Sequence, residues 1–229
     1  MLKVMGTASQ LVLNLQAQPA LGRDDFFVSQ SNMAAVRWVD NWPNWPRSVV
    51  GLNLFGPPAS GKSHLASVWK SKSGAMLLDS PIKDSIFVHD LLGSYKNIII
   101  DNFDSSWPGE PILHLYNSVL AIEGKILIVT NGPIAQMDIR PLDLASRLIT
   151  LATVAIKSPD DDLIKGVMAK LFRDRQIKVA NEVIDYLAVR MERSLEEVNR
   201  LVDVLDNISL AENNAVTLPL ARKIINDLT

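Results

Sequence analysis

Gly56-Pro57-Pro58-Ala59-Ser60-Gly61-Lys62-Ser63 has the form G-x-x-x-x-G-K-[ST], the pattern of a phosphate-binding loop, and it decides how the chain around it folds. Small residues let several backbone N–H groups turn toward one phosphate, and the helix that follows adds the positive end of its dipole. In that arrangement Lys62 neutralises charge on the terminal phosphates and the Ser63 hydroxyl ligates Mg²⁺. A glycine–serine turn can match the pattern by accident. The flanks argue against that: residues 49–55 read as a buried strand entering the loop and residues 64–70 as a helix leaving it.

Further along, residues 75–78, 97–100 and 125–130 are short apolar runs that read as strands buried on both faces. Residues 111–120 carry apolar positions at helical spacing, and residues 151–156 read as a last strand. The pattern predicts a doubly wound α/β core with a parallel sheet. At Ser158-Pro159-Asp160-Asp161 the character changes to a helix start, read as a serine cap, a proline at the first helical position and acids in the first turn. Only helical patterns follow, near 159–174, 181–191, 195–211 and 218–228, with a turn at Asn213-Asn214. The expected organisation is an N-terminal tail over 1–19, a nucleotide-binding α/β core over 20–157 and a small all-helical lid domain over 158–229. The stretch Trp42-Pro43-Asn44-Trp45-Pro46 reads as a rigid turn whose tryptophans pack on the core.

A net charge of −2 over 229 residues gives no support to bulk electrostatic binding of nucleic acid. Without cysteine there are no disulfides or thiolate metal sites, and the three histidines show no ligand spacing, so no transition-metal site is expected. The first residues lack the apolar run of a signal peptide and no segment is long enough to span a bilayer. The expectation is a soluble cytoplasmic protein with no membrane partner.

Asn97-Ile98-Ile99-Ile100-Asp101 has the form of a Walker B strand, whose terminal acid binds Mg²⁺ directly or through water. Many strands end in aspartate, and it is the phosphate loop some forty residues upstream that gives this one meaning. Residues 10–15 alternate apolar side chains. They read either as an edge strand or tail packed on the core, or as a peptide ligand in which Leu11, Leu13 and Leu15 anchor and Gln10 makes a polar contact. His64 and His114 are most simply packing or surface residues.

With these motifs in place, the chain resembles the AAA+ family of bacterial replication initiators, DnaA, and within it the shortened regulatory homologues of the Hda kind. The resemblance covers nearly the whole chain. It rests on residues 10–15, on Phe26-Phe27-Val28-Ser29-Gln30-Ser31-Asn32, on the loop through His64-Leu65, on Ile100-Asp101-Asn102, on Leu115-Tyr116-Asn117 and on residues 143–148. It implies an AAA+ core with a helical lid, holding ADP or ATP with Mg²⁺. Phe26, Val28 and Asn32 would belong to the adenine pocket, with Ser29 where a glycine is common. Gly56, Pro58, Ala59, Ser60, Gly61, Lys62, Ser63 and His64 would surround the phosphates, and Ser63 and Asp101 would hold the Mg²⁺. Asn131 falls where the family keeps a polar sensor, although turn propensity also accounts for an asparagine there. Asn102 falls where AAA+ ATPases usually carry a second acid; it can hydrogen-bond but cannot act as a general base. That implies weak or no intrinsic hydrolysis, against a harmless substitution in a working ATPase.

The resemblance also supplies partners. Arg147 matches an arginine finger acting in trans on DnaA-bound ATP, where a lone exposed arginine would otherwise be an ordinary surface charge. Gln10, Leu11, Leu13 and Leu15 match the Q-L-x-L-P-L-like peptide that binds the replicative sliding clamp (DNA polymerase III beta subunit), with Asn14 in place of the proline. Glu196 stands at the second sensor arginine, with Arg193 and Arg200 on the same helical face. An acid beside a terminal phosphate tilts the reading toward ADP or an altered lid. Ending at Thr229, the chain is expected to lack the DNA-reading domain of DnaA and to meet DNA only indirectly; a homodimer is left open. The runner-up is an active helicase-loader-type AAA+ ATPase on single-stranded DNA, which calls for a basic groove with stacking aromatics, and no basic run of that sort is present. A P-loop small-molecule kinase fits poorly, because an all-helical segment follows the last strand.

Overall fold

The computed structural model describes residues 22–82, 84–212 and 215–228. The clamp-peptide reading of residues 10–15 and the turn read at Asn213-Asn214 lie outside them. Helix α1 (Met33–Asp40) precedes an alternating series: β1 (Gly51–Phe55), α2 (Lys62–Ser73), β2 (Met76–Leu78), α3 (Ser85–Ser94), β3 (Ile98–Ile100), α4 (Gly109–Ala121), β4 (Ile126–Thr130), α5 (Leu142–Ile149) and β5 (Ala152–Ala155). The five strands form one parallel sheet in the order β2-β3-β4-β1-β5. The sheet is buried on both sides, and alternate residues of one strand serve different layers. Ile98, Ile100, Ile126 and Ile128 join the apolar cluster on the α3–α4–α5 side, whereas Ile99, Leu127 and Val129 join that on the α1–α2 side.

Four of the five tryptophans gather on the α1–α2 side. The rings of Trp45 and Trp69 stack at 5.5 Å, and Trp42 meets both edge-on at 5.2 Å. Trp38 meets Trp45 edge-on at 5.9 Å, and the Trp45 indole N–H donates to the Trp38 carbonyl at 2.8 Å. The proline-flanked turn therefore packs on the helix that follows the phosphate loop.

Four helices follow the sheet: α6 (Asp161–Asp174), α7 (Asn181–Ala188), α8 (Leu195–Glu212) and α9 (Leu218–Leu228). They close over a separate cluster that includes Ile164, Met168, Phe172, Leu187, Leu201 and Leu205. The start of α6 differs from the sequence reading. Asp160, not Ser158, is the cap, its Oδ1 accepting the Leu163 amide at 2.9 Å, and Pro159 stands before the cap rather than inside the helix. The reason lies in the tertiary fold, because the other oxygen of Asp160 accepts the Ser31 amide at 3.1 Å, which fixes this carboxylate at the helix entrance. The first strand also begins later than expected, since the Val49 amide closes a turn onto the Pro46 carbonyl at 2.9 Å.

Candidate nucleotide-binding site

The phosphate loop leaves the C-terminal end of β1, where the neighbouring strands β1 and β4 are followed by helices on opposite faces of the sheet, α2 on one and α5 on the other. Ligands of open α/β sheets bind at such points. Gly56 has no room for a side chain: a Cβ there would lie 2.2 Å from the Ile156 carbonyl oxygen. Gly61 caps α2 with φ 94°, a conformation that favours glycine. Among the described residues no protein group accepts from the amides of Ala59, Gly61, Lys62, Ser63 or His64, while Leu65 begins the helical ladder by donating to Gly61. The Ser60 hydroxyl is buried and also without a partner. Unpaired donors of this kind at a helix N-terminus suit an anion.

Lys62 is buried, and its ammonium donates to the carbonyls of Gly56 at 2.9 Å and Pro57 at 2.7 Å. Burial lowers its pKa, and the nearby Asp101 carboxylate opposes that shift. Asp101 directly follows β3 and is itself buried; the Asn102 amide donates to its Oδ1 at 2.9 Å. Asn102 is exposed with φ 54°, a left-handed turn that asparagine tolerates better than most residues. Cation and carboxylate thus act on each other through space beside the loop, while Ser63 lies exposed at the helix start. Asn131 directly follows β4 and is exposed. Pro58 is exposed, and Ala59 adopts φ 52°.

Residues 22–32 form a strap across this site. The Phe26 ring is buried against Gly61 and meets the His64 ring edge-on at 5.0 Å. The His64 Nε2 lies 3.3 Å from the Gly22 carbonyl, and burial lowers the imidazole pKa. Val28 is exposed. Asn32 is buried and turned onto its own strap, donating to the Phe27 carbonyl at 2.8 Å and accepting from the Ser29 amide at 3.0 Å.

The strap is also tied to the lid. Lys170 pairs with Asp25, whose carboxyl pKa is lowered by that hydrogen bond, and the Phe27 ring sits directly on Gly166 of α6. The lid reaches the loop as well. The Leu195 amide donates to the Ala59 carbonyl at 3.1 Å, and the Leu195 side chain covers Gly61. This contact is main-chain, so no residue type announced it in the sequence, and the strap–lid contacts also lack a local signal. Glu196 is exposed in the first turn of α8; Arg193 pairs with Asp161 at 2.9 Å and Arg200 with Glu197 at 3.4 Å. Arg147 stands on α5 among the exposed apolar residues Leu142 and Ile149, its Nε bonded to Asp143 one turn back at 3.1 Å.

A parallel sheet in this order, a phosphate loop at its switch point and a helical lid bonded to that loop make up an AAA+-type fold. The lid matches the family model described as the Hda lid domain over residues 163–225. The chain is similar to DnaA-related AAA+ proteins, and its lid segment to that of Hda. It is 20% identical over 245 aligned residues to the chromosomal replication initiator DnaA of Campylobacter jejuni, an alignment covering 96% of this chain and 54% of the relative. The chain therefore spans about half the length of the curated relatives it matches. Domain III of Thermotoga maritima DnaA superimposes with a TM-score of 0.76 at 17% identity, over 92% of this chain and 97% of that one. RuvB of Thermotoga maritima gives 0.71 at 14% identity, over 91% and 72%. AMPPCP-bound DnaA from Aquifex aeolicus gives 0.65 at 18% identity, over 82% and 65%.

Proposed function

We propose that this protein is a nucleotide-bound AAA+ regulator of replication initiation that promotes hydrolysis of ATP held by DnaA. One observation carries the reading. The loop has the cation and the buried carboxylate to hold a nucleotide, yet the residue beside that carboxylate is Asn102, which offers no proton acceptor. A nucleotide held in this way stabilises the closed arrangement of strap, loop and lid more than it feeds turnover.

The amides of residues 59–64 and Lys62 would hold the phosphates, with Phe26 and Val28 of the strap beside the base. Ser63 and Asp101 would hold Mg²⁺. Among the described residues no three His, Asp or Glu side chains gather into a cluster, so such an ion would draw its remaining ligands from phosphate and water. Bound Mg²⁺ neutralises phosphate charge. Arg147, half-exposed on α5, would leave its pair with Asp143 to enter a partner's site, where its guanidinium would neutralise charge developing in the transition state. Gln10, Leu11, Leu13 and Leu15 would tether the protein to the sliding clamp, bringing it to DNA only indirectly.

The nucleotide that co-purifies tests the reading. Chromatography of the denatured protein is expected to yield about one ADP per chain, with negligible turnover of added ATP. Rapid unstimulated ATP hydrolysis would overturn it.

A further inference from the structure

Asn53 sits at the middle of β1 with no solvent exposure, a polar residue in register with Ile128 on one neighbour and Thr153 on the other. Its Nδ2 donates to the Thr130 hydroxyl at 2.9 Å and to the Ile128 carbonyl at 3.3 Å. The Thr130 hydroxyl in turn donates to the Gly132 carbonyl at 2.7 Å. The direction of this chain is fixed by its ends. Both terminal groups are carbonyls and can only accept, so the Asn53 amide must face Thr130 with its nitrogen, and the single hydroxyl proton must go to Gly132. The consequence is that Asn53 Oδ1 is buried with no partner. A packed apolar residue would avoid that cost.

The relay ends around one residue. The Thr130 carbonyl accepts the amide of Gly56, the first residue of the phosphate loop, at 3.3 Å. Thr130 is thus joined to the β1 segment twice, through its main chain at Gly56 and through its side chain at Asn53. Its hydroxyl then closes the turn onto Gly132, and the residue enclosed is the exposed Asn131.

We infer that Asn53 and Thr130 are positioning residues that hold Asn131 at a fixed place relative to the phosphate loop, so that the site distinguishes a nucleoside triphosphate from a diphosphate. The inference rests on the proposed nucleotide site and on Asn131 facing the terminal phosphate. Asn53 acts through Thr130 and Thr130 through the turn; neither touches the ligand.

The test measures dissociation constants of Mg²⁺–ATP and Mg²⁺–ADP for the full chain and four variants, together with thermal midpoints. Asn131→Ala weakens ATP by about tenfold, the scale of a lost hydrogen bond to a charged group, and leaves ADP unchanged. Asn53→Leu and Thr130→Val reproduce that selective loss, whereas Thr130→Ser keeps the hydroxyl and binds like the parent. Asn53→Leu also keeps or raises the midpoint, because it removes the unpaired oxygen; a purely structural asparagine would lower the midpoint and both affinities together, which would overturn the inference. Selective loss in Asn131→Ala with parental ATP binding in Asn53→Leu and Thr130→Val would also overturn the relay. Unchanged ATP binding in Asn131→Ala would overturn the underlying placement of Asn131 instead.

Discussion

Replacing Gly166 with alanine sets helix propensity against the packing of one ring. An alanine Cβ at this position would lie 2.4 Å from Phe27 Cε1, 2.7 Å from Cζ and 2.9 Å from Cδ1. Carbon atoms pack at about 3.5–4 Å, so the ring must move by about 1 Å or more. Phe27 is 41% exposed and has a clear way out. Complete burial of a phenylalanine contributes about 1.5–3 kcal/mol, so releasing this partly covered ring costs about 1–2 kcal/mol. Alanine in place of glycine within α6 returns about 1 kcal/mol. The two terms nearly cancel, and the unfolding free energy should stay within about 1 kcal/mol of the parent. What changes is the strap. It keeps the Asp25–Lys170 pair and the Ser31–Asp160 bond but loses the ring that packs it on α6. Urea unfolding with hydrogen exchange separates the two effects. The amides of Ser29, Ser31 and Asn32 are hydrogen-bonded within or beside the strap, and they should exchange several-fold faster while the urea midpoint barely moves. Unchanged exchange at these amides, or a loss of more than about 3 kcal/mol in global stability, would refute the reasoning.

Two further predictions concern stability. Phe172 is 2% exposed at the centre of the lid cluster, so Phe172→Ala should cost about 3–5 kcal/mol in urea unfolding, and a loss under about 1 kcal/mol would contradict the packing described. Asp40 accepts from Arg23 and Lys72, and the Arg23 hydrogen bond is the main cause that lowers its pKa from 3.8 to about 2. A carboxyl lowered in the folded state stabilises it above the unfolded pKa and loses that contribution as pH falls toward 2, at most about 1 kcal/mol for a pair this exposed. The stability gap between the parent and Asp40→Asn should therefore be full at pH 5 and closed near pH 2; a gap that persists at pH 2 would contradict the assignment.

The parts of this structure written locally were legible in the sequence. Ile98–Ile100 and Ile126–Thr130 read as strands because residues buried on both faces need no alternation, and the lid helices read from their apolar spacing. Helix α1 was not read. It buries only Ala35, Val36 and Val39, an apolar stripe too short to stand out beside the tryptophan-rich turn. The cap of α6 was misplaced because two neighbouring residues could both cap, and the choice was made by Ser31, far away in the chain. Within the site, Lys62 and Asp101 were legible from their motifs. The bond from Leu195 to Ala59 was not, since any residue can supply a main-chain amide, and the Asp25–Lys170 pair joins groups 145 residues apart. Asn53 reads as an ordinary polar break in a strand until the sheet register places it beside Thr130.

The central claim is that Arg147 acts on a nucleotide held by another protein. The most direct measurement is single-turnover hydrolysis of ATP bound to DnaA, with clamp-loaded DNA and either the parent protein or Arg147→Ala. Nucleotide content and clamp binding are measured alongside. Arginine fingers contribute about 10³-fold or more to such rates, so the account predicts that the parent accelerates hydrolysis and that Arg147→Ala loses nearly all of that acceleration while keeping its own nucleotide. Undiminished acceleration by Arg147→Ala would contradict it.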